Sequence, residues 1–299
     1  MIETFTKTFT KTVAELRKAL ITSSRYKPEA HPLAQEVWAI LQARGVEVLL
    51  DLEGTLPLVE AAQGADLIIS VGGDGTLLAT ARRLVGVTVP TIGVNIGKLG
   101  FLAEHSPADI LDYVRGQPPP AWRLSPKMML QVRLEANGEQ AELRRYALND
   151  VIVSQGVMTR LISITMAVDG LHATQYRADG VVISTPVGST AYSLSLGGPI
   201  LSQGLRAFVI TPIAPHALTN RPIVIEGSSE VSFAVESPIG ELALVVDGQE
   251  RLTLRQGDRF TVCTAPTDFV LVSSARHSYF DILRTKLGWG QAPNLRRST

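Results

Sequence analysis

Hydrophobic positions along the first 124 residues follow two different spacings. Short apolar runs, as at residues 67–71, alternate with longer segments in which apolar residues recur every three to four positions, as at residues 31–45. Short runs rich in β-branched residues are typical of strands buried on both faces of a parallel sheet, and the longer spacing is typical of helices. The pattern therefore predicts an α/β domain over residues 1–124, with a mostly parallel sheet and helices on both of its faces.

The pattern changes at a proline-rich connector. Pro118, Pro119 and Pro120 cannot continue a helix. Beyond them apolar and polar residues alternate in short runs separated by Gly, Pro and Asp, and helical spacing nearly disappears. The Asn-Gly pair at 137 and the Asp-Gly pairs at 169 and 247 predict tight turns between such strands. Residues 125–273 are therefore predicted to form a β-rich domain of two packed sheets, a β-sandwich.

A last helical spacing lies near the end of the chain. In the segment 278–290, Phe280, Leu283 and Leu287 recur at helical intervals. The spacing predicts a final amphipathic helix whose apolar stripe packs on the core.

Composition limits the kind of partner. Lys and Arg together number 28, as do Asp and Glu, so no net charge favours nucleic acid or an anionic membrane surface. The single Cys263 excludes an internal disulfide framework, and the five histidines are too scattered in sequence for a local metal motif. No uncharged apolar run approaches the roughly 20 residues that span a bilayer, and the first residues lack the apolar core of a signal peptide. We expect a cytoplasmic protein of two domains that acts on a small molecule.

The sequence Val-Gly-Gly-Asp-Gly-Thr at residues 71–76 lies between a predicted strand and a predicted helix. Gly72 and Gly73 can adopt backbone conformations closed to other residues and let a ligand approach the main chain. Ligands of open α/β sheets bind at the carboxyl ends of the strands, where free N–H groups at the start of a helix suit phosphate. Asp74 either caps its helix or acts on a ligand. The motif resembles the phosphate-handling loop shared by NAD kinases, diacylglycerol-type lipid kinases and, more distantly, phosphofructokinases.

Two further stretches place polar residues in apolar surroundings. Asn149 and Asp150 interrupt an apolar run, and they lie either at the edge of a hairpin or in a cleft where they hold a ligand. A strand of buried type at residues 181–184 leads into a segment dense in Gly, Ser and Thr. There, Gly188 and Ser189 lead into a short helical turn that can present N–H and hydroxyl groups to a phosphate or a sugar. A plain glycine-rich surface loop is the alternative.

Taken in order, the segments VGGDGT, NIGKLGFL, LNDVIVSQG, DGVVISTPVGSTAYSLSLGGP, TPIAPH, DGQ and FDILRTKLGWG resemble the bacterial NAD kinase family from about residue 70 to residue 290. The long segment that contains Gly-Ser-Thr-Ala-Tyr carries most of the specificity. The resemblance implies an α/β domain, a β-sandwich domain and a C-terminal segment, residues 274–299, that returns to the first domain. It also implies transfer of the terminal phosphoryl group of ATP, or of polyphosphate in some members, to the 2′-hydroxyl of the adenosine ribose of NAD. Mg²⁺ would accompany the donor.

The resemblance implies roles for individual residues as well. Asp74, followed by Gly75, would accept the proton of the ribose hydroxyl, and Asn149 and Asp150 would hold the adenine and ribose. The family implies a homo-oligomer, a dimer or tetramer, in which a neighbouring subunit supplies part of each site. No side chain is assigned to a metal ion. Further dinucleotide contacts would come from Arg160, Arg177, Asp179, Thr190, Ala191, Tyr192, Ser193, Leu194, Ser195, Ala214 and Gln249.

Two positions depart from the family pattern. Asp150 stands where many members have Glu, and Ala79 stands where many have a basic residue, one helical turn after Asp74. If the phosphates need a cation there, another side chain has to provide it. The candidates are Lys98, Arg82 and Arg83.

Two other functions are compatible with the Gly-Gly-Asp-Gly motif alone. A lipid kinase would share that motif but lack the Gly-Ser-Thr-Ala-Tyr segment, and a catalytically silent regulator would bind the dinucleotide without turning it over. The chain contains no GxxxxGK[ST] sequence and no full G-x-G-x-x-G after a strand. A P-loop enzyme and a Rossmann dehydrogenase are therefore disfavoured.

Overall fold

The structure is a computed structural model that describes residues 7–97, 100–119, 121–135, 143–155, 161–217, 219–237, 242–274, 276 and 278–290. The described strands form three six-stranded sheets. In chain order the first elements are β1 (Lys18–Thr22), α1 (His31–Ala43), β2 (Glu47–Asp51), α2 (Leu58–Ala61), β3 (Leu67–Gly72), α3 (Asp74–Arg83), β4 (Thr91–Asn95), α4 (Pro107–Val114), β5 (Arg123–Lys127), β6 (Leu130–Glu135), β7 (Leu143–Ala147) and β8 (Asp150–Gln155). They are followed by β9 (Ile162–Val168), β10 (Leu171–Ala178), β11 (Gly180–Ser184), α5 (Tyr192–Ser195), β12 (Ala207–Ile213), β13 (Ile223–Glu226), β14 (Val231–Ser237), β15 (Leu242–Val246), β16 (Glu250–Leu254), β17 (Arg259–Thr264), β18 (Phe269–Ser273) and α6 (Tyr279–Leu287).

The first sheet has the strand order β2-β1-β3-β4-β18-β5. Its strands pair in parallel except for β5, which runs antiparallel to β18. Every residue of β3 is buried, because alternate side chains enter two different cores. Leu67 and Ile69 pack in the core that contains α1 and α4, whereas Ile68 packs in the core that contains α3. The predicted mostly parallel sheet with helices on both faces is confirmed.

Two strands beside the predicted domain boundaries belong to this first sheet. Boundaries at residues 124 and 273 would place most of β5 and all of β18 in the second domain, but β18 pairs with β4 and β5 pairs with β18. The chain therefore passes between the two units after β5 and again before β18. The sequence could not show this, because a short apolar strand has the same pattern in either sheet.

The other two sheets form the second unit. Both are antiparallel, with strand orders β10-β9-β14-β17-β6-β7 and β13-β12-β11-β8-β15-β16. One apolar core fills the space between them, where Phe233 stacks on Phe260 with ring centroids 4.8 Å apart. The predicted β-sandwich is confirmed. The turns predicted at Asp169 and Asp247 join β9 to β10 and β15 to β16, whereas the turn predicted at Asn137 lies outside the described residues.

Helix α6 forms near the end of the chain as predicted, but it buries a different face. Ile282 and Leu283 are buried, while Phe280 is 55% exposed and Leu287 is 38% exposed. The ring of Phe280 packs against that of Trp289, with centroids 6.2 Å apart, and does not enter the core. The predicted core stripe is therefore wrong at Phe280 and Leu287. Like the other helices of the described chain, α6 is not long and apolar enough to cross a membrane.

The segment that follows β18 contacts both units. The N–H of Ser274 donates a hydrogen bond to the carboxylate of Glu104 in the first unit, at 2.8 Å. The hydroxyl of Tyr279 donates to the carbonyl oxygen of Leu201 in the second unit, at 3.1 Å. The return to the first unit, predicted for residues 274–299, therefore begins earlier, with β18, and the segment after β18 lies against both units.

Candidate active site

The loop between β3 and α3 requires glycine for two separate reasons. Gly72 and Gly73 have φ angles of 153° and 140°, which residues with a side chain rarely adopt. A Cβ on Gly72 would also lie 2.3 Å from the hydroxyl oxygen of Thr76. The loop thereby brings Asp74 to the first position of α3, at the carboxyl end of the parallel sheet.

The carboxylate of Asp74 faces the loop after β4 rather than its own helix. It accepts hydrogen bonds from the N–H groups of Phe101 at 2.8 Å, Leu102 at 3.2 Å and Ala103 at 2.9 Å. A Cβ on Gly100 would lie 2.0 Å from one carboxylate oxygen, so the loop can approach this closely only with glycine there. No side chain caps α3. The alternative that Asp74 merely caps its helix is therefore wrong.

A cleft of about 710 Å³ extends along α3 from Gly75 to Arg83. Gly75 and Thr76 line it from the helix, residues 23–27 from the loop after β1, and Gln249 from the hairpin between β15 and β16. The hydroxyl of Thr76 is buried and has no hydrogen-bond partner among the described residues. Asp74 itself is not among the lining residues. An unpaired hydroxyl and the first N–H groups of a helix suit an anion in this cleft.

Both arginines of α3 are engaged in ion pairs. Arg82 lies 2.9 Å from a carboxylate oxygen of Asp247, and Arg83 lies 2.6 Å from one of Asp51. The side chains of Asp247 and Asp51 are almost completely buried, at 0% and 3% exposed. Their charges need these partners, because an unpaired buried charge is strongly destabilising. Lys98, the third cation that the sequence suggested, lies outside the described residues.

Lys27 is a cation at this cleft that the sequence reasoning missed. Its ammonium group donates a hydrogen bond to the carbonyl oxygen of Gly72 at 3.0 Å, and it would lie 3.2 Å from a Cβ on Gly73. Lys27 follows β1, which is the neighbour of β3 in the parallel sheet. Because parallel neighbours end at the same edge, a basic residue in the first loop after a strand was the signal that could have found it.

Asn149 and Asp150 lie at the start of β8, an interior strand between β11 and β15. Hydrogen bonds among the described residues use their backbone groups, not their side chains. Asp150 is only 4% exposed. Burial raises the pKa of Asp150 to about 7, and the negative charge of Asp247 adds to the rise. The alternative of an exposed hairpin edge is wrong, and the buried Asp150 and the partly buried Asn149 are available to a ligand.

The glycine-rich segment at residues 178–200 packs directly against Asn149. The hydroxyl of Thr185 donates to the carbonyl oxygen of Leu148 at 2.6 Å. A Cβ on Gly188 would lie 2.1 Å from the carbonyl oxygen of Asn149. This close approach explains why glycine is needed here, and it excludes a plain surface loop.

Several hydroxyl groups of this segment face inward rather than toward a ligand. Thr190 donates to a backbone carbonyl at 3.1 Å, and the hydroxyls of Ser193 and Thr211 lie 2.9 Å apart. Ser193 is fully buried, whereas Tyr192 and Ser195 are exposed. The exposed members of the turn, together with its backbone, form the surface that it can offer to a ligand.

The remaining predicted contacts divide into two groups along β11. Arg177, Asp179 and Ala214 lie around its first residue, whereas Asp150 pairs with its last residue, Ser184. Four residue steps of about 3.3 Å separate the two ends by roughly 13 Å. Arg160 lies outside the described residues. The other group is connected to the Asp74 loop by a chain of contacts, from Gly75 to Gln249, from the Asp247 hairpin to Asn149, and from Asn149 to Gly188. This group consists of Gly75, Asn149, Asp150, Gln249 and the segment that carries Thr190, Ala191, Tyr192, Ser193, Leu194 and Ser195.

A buried charged pair lies behind the loop that holds Asp74. Burial raises the pKa of Glu104 to about 7, against the opposing effects of the Ser274 N–H group and Lys127. Burial also lowers the pKa of Lys127 to about 8. The ammonium group of Lys127 donates to the side-chain oxygen of Gln203, which lies in the second unit, at 2.6 Å. The hydrogen bond of Lys127 to Gln203 therefore connects the first unit to the second.

Comparisons with known proteins agree with this geometry. The family model of the ATP-NAD kinase N-terminal domain matches residues 57–115, and that of the ATP-NAD kinase C-terminal domain matches residues 148–274. The NAD kinase of Geobacter sulfurreducens is 39% identical over 293 residues, which cover 92% of this chain and 100% of that protein. The NAD kinase of Geotalea daltonii is 37% identical over 284 residues, with the same coverage of the two chains.

Two solved structures are also similar. That of yeast NADH kinase complexed with NADH has a TM-score of 0.80 at 22% identity, over 97% of this chain and 95% of that one, and it supports the fold alone. That of an NAD kinase from Archaeoglobus fulgidus in complex with ATP has a TM-score of 0.67 at 25% identity, over 91% of this chain and 97% of that one. Both likenesses extend over the two units of the fold.

Proposed function

We propose, because this chain belongs to the NAD kinase family, that Asp74 accepts the proton of the ribose 2′-hydroxyl during phosphoryl transfer. As a family member the chain is an enzyme that phosphorylates NAD, and the comparisons favour neither a lipid kinase nor a silent regulator. The single observation that carries the proposal is the arrangement of donors around the Asp74 carboxylate.

The Asp74 carboxylate has a fixed direction and an acceptor position to spare. A carboxylate offers about four acceptor positions, and three N–H groups of one loop occupy three of them among the described residues. The fourth can receive the ribose hydroxyl. A carboxylate is a weak base toward an alcohol, but phosphoryl transfer passes through a loose transition state, and protein kinases use an aspartate in the same way.

We assign the phosphoryl donor to the cleft beside Gly75. The start of α3, the unpaired hydroxyl of Thr76 and the ammonium group of Lys27 all lie at this cleft. Each of these groups favours phosphate oxygens. Lys27 then supplies the positive charge that position 79 lacks, and a donor in the cleft would point its terminal phosphate toward Asp74.

Mg²⁺ fits this cleft as a partner of the donor rather than as a resident ion. The described residues include no group of three or more His, Cys, Asp or Glu side chains that could hold a metal. Glu53 and Glu250 line the cleft along with the Thr76 hydroxyl, and Mg²⁺ commonly takes one or two carboxylates while substrate phosphates and water complete its shell. When bound, the ion would neutralise part of the phosphate charge.

The acceptor NAD is assigned to the other side of Asp74. There Asp150 is buried and Asn149 is partly buried, and neither side chain has a hydrogen-bond partner among the described residues. The glycine-rich segment packs against the backbone of Asn149 at Gly188. Polar groups that are buried and unpaired are costly unless a ligand pairs with them. The adenine and ribose would therefore lie against this pair, with the 2′-hydroxyl at Asp74.

The second group of predicted contacts suggests a homodimer or homotetramer. Arg177, Asp179 and Ala214 lie at the far end of β11, roughly 13 Å by strand rise from the residue that pairs with Asp150. We propose that they act on the site of a neighbouring subunit. A cytoplasmic location also stays a prediction.

Initial rates of NADP formation with ATP and with polyphosphate as donor test the assignment of the two substrates. Lys27→Met should raise the KM for the donor at least 10-fold and leave the KM for NAD within about twofold, because only the donor meets this charge. Lys18→Met is the matched control, since Lys18 also donates to a backbone carbonyl at 3.0 Å, but at the opposite end of β1. An unchanged donor KM in Lys27→Met would remove Lys27 from the donor site.

Mixing two inactive variants tests the shared site. If Arg177 and Asp179 serve a neighbouring subunit, then Asp74→Asn and Asp179→Ala, each inactive alone, should regain part of the activity when they are denatured and refolded together. Equal mixtures without subunit exchange are the control. No recovery after exchange, with mixed oligomers verified by mass spectrometry, would place both residues in one subunit's site.

A further inference from the structure

The hairpin between β15 and β16 binds the backbone at the start of β8 through the side chain of Asp247. Asp247 and Gly248 are the central residues of the turn that the Gln249 N–H closes on the Val246 carbonyl oxygen, and their φ angles are 48° and 66°, both left-handed. The carboxylate of Asp247 nevertheless points inward and is 0% exposed. It accepts hydrogen bonds from the N–H groups of Leu148 at 3.1 Å, Asn149 at 2.7 Å and Asp150 at 3.2 Å. The turn therefore holds the backbone of the proposed acceptor-binding pair.

Arg82 connects the same hairpin to α3. Its guanidinium group donates to Asp247 at 2.9 Å, to Gln249 at 2.7 Å and to Glu250 at 3.0 Å. The Arg82 side chain is only 8% exposed. Three donors in one planar fork thus fix the orientation of the hairpin against the helix, which a single ammonium group could not do.

Gln249 attaches the hairpin to α3 at a second point. While its side-chain oxygen accepts from Arg82, its amide nitrogen donates to the carbonyl oxygen of Gly75 at 3.0 Å. Gly75 and Arg82 are about 10 Å apart along the helix, at 1.5 Å per residue. Two attachment points at this separation restrict both the distance and the angle between the hairpin and α3.

A buried ion pair of this kind is poorly explained as a source of stability. Removing two charges from water offsets much of their attraction, so well-packed apolar residues often stabilise a fold as well or better. Apolar residues could not, however, replace this pair, in which Asp247 accepts hydrogen bonds from three consecutive N–H groups and Arg82 attaches the hairpin to α3. The geometry points to a positional role.

We propose that Arg82 and Asp247 are positioning residues, whose ion pair sets the distance between the Asp74 helix and the acceptor-binding segment at Asn149 and Asp150. This inference rests on the proposed assignment of NAD to that segment. Neither residue needs to contact the substrate. Arg82 also lines the donor cleft, beside Gln249 and Glu250. Loss of the pair should nevertheless loosen the acceptor-binding segment relative to Asp74 more than it changes the binding of the donor.

Steady-state kinetics of Arg82→Met and Arg82→Lys test the proposal. Arg82→Met should raise the KM for NAD at least 10-fold and lower kcat about 10-fold, while the KM for the donor stays within about threefold. Arg82→Lys keeps the charge next to Asp247 but cannot fork to Gln249 and Glu250, so its KM for NAD should lie between those of the wild type and Arg82→Met. NAD binding without donor, measured by calorimetry, should weaken in the same order.

Arg206→Met is the matched control. Arg206 donates to both oxygens of Asp268, at 3.0 Å and 2.8 Å, but this pair is exposed and lies away from α3 and the hairpin. Its loss should leave both KM values and kcat within about twofold.

Three outcomes would overturn the proposal. The first is a fall in kcat that merely follows the folded fraction, with the KM for NAD unchanged, since that is the effect of a structural ion pair alone. The second is a rise in the donor KM without a rise in the NAD KM, which would make Arg82 a donor ligand. The third is that Arg82→Lys keeps the wild-type KM for NAD. This outcome is decisive even if Arg82→Met does not fold. Failure of the proposed acceptor site looks different, because then Asn149→Ala, which removes a proposed acceptor contact directly, would itself leave the KM for NAD unchanged.

Discussion

Asp74 and Asp247 are held alike by the backbone but differ in what else reaches them. Each is followed by glycine, and each accepts hydrogen bonds from three consecutive N–H groups in another part of the chain. Asp247 also binds the guanidinium group of Arg82 and is completely buried, whereas Asp74 has no cation among the described contacts and is only partly buried. The two carboxylates are therefore bound by the backbone in the same way, but they differ in burial and in having a cationic partner.

The difference separates an anchor from a reactive group. With about four acceptor positions on a carboxylate, the four donors around Asp247 fill its capacity, while the three around Asp74 leave one position. A filled carboxylate can only hold its surroundings in place. An unfilled one that is already oriented can accept one more hydrogen, and here that acceptor position is the one we assign to the ribose hydroxyl.

The largest effect expected from this comparison is on turnover in Asp74→Asn. An amide keeps the size of the side chain but cannot accept the hydroxyl proton, so kcat should fall by about 10²- to 10⁴-fold, the usual contribution of a positioned base. The dissociation constant for NAD should change only a few-fold. Stopped-time assays of NADP formation and calorimetry of NAD binding measure the two quantities. Turnover within a few-fold of the wild type would take the role of base away from Asp74.

Asp247→Asn should show the opposite balance, with its main effect on stability. It leaves the buried guanidinium of Arg82 without its charged partner, and breaking a buried pair costs about 3 kcal/mol or more. Asp74→Asn should lose less, about 1 to 2 kcal/mol, because only hydrogen bonds to N–H groups weaken. Urea unfolding of both variants measures the difference. Equal losses of unfolding free energy would mean that the two carboxylates are anchors of one kind.

The loop that orients Asp74 offers a third, smaller test. In Gly100→Ala the new methyl group would lie 2.0 Å from a carboxylate oxygen of Asp74, so the loop or the carboxylate has to move. Because misplacing a catalytic group by about 1 Å can reduce rates up to 10²-fold, kcat should fall about 10- to 100-fold. Gly97→Ala is the matched control in the same loop, since its methyl group would lie 3.8 Å from the nearest atom, Asn95 Oδ1. The prediction fails if both alanine variants keep the wild-type kcat.

Sequence patterns located these elements because the signals are local. A strand of buried type, two glycines and a helical spacing predicted the β3–α3 loop. A serine before proline is likewise a local signal for the start of α4, where Ser106 is the N-cap and Pro107 the first helical residue. In each case the residues that form the structure are neighbours in the chain, so their order carries the information.

Long-range partners could not be found in this way. Asp169 and Asp247 begin identical Asp-Gly pairs, both in hairpins and with φ angles of 49° and 48°. Yet Asp169 accepts a hydrogen bond from the N–H of Glu230 at the exposed surface, whereas Asp247 binds Arg82 in a buried site. The local sequence determines the turn in both cases. What each carboxylate meets depends on how the two units pack, which no local pattern records.

Lys27 was missed for a related reason. It lies 47 residues before Asp74 in the chain, but β1 and β3 are neighbours in the sheet, so their loops share one edge. The order of strands in a parallel sheet is a tertiary property. Once that order is known, Lys27 in the first loop becomes a clear candidate for the cation of the donor site. The absence of a basic residue at position 79 is then explained.

The smallest effect concerns Asp150, which lies next to the Asp247 anchor. Burial and the charge of Asp247 raise the pKa of Asp150 to about 7, above the value of about 3.9 for an unperturbed aspartate. The folded chain therefore binds more protons than the unfolded chain between about pH 4 and pH 7. The contribution of Asp150 to the free energy of unfolding must then fall as the pH rises through this window, by at most about 1.4 kcal/mol per pH unit. His105, whose pKa is lowered by burial, contributes a slope of opposite sign, which is common to the wild type and the Asp150 variant.

Asp150→Asn should flatten this pH dependence, because the amide does not titrate. Glu104, whose pKa burial raises to about 7 as well, contributes a slope of the same sign, so Glu104→Gln is the matched comparison and neither variant should abolish the slope alone. Urea unfolding at pH 5, 6 and 7 measures it. If the free energy of unfolding of Asp150→Asn varies with pH in parallel with that of the wild type, then Asp150 is ionised throughout the range and the negative charge of Asp247 does not raise its pKa. If the curve flattens, Asp247 also influences the charge of Asp150, the residue that we assign to the acceptor. The affinity of the wild type for NAD should then change between pH 6 and pH 8, whereas the affinity of Asp150→Asn should not.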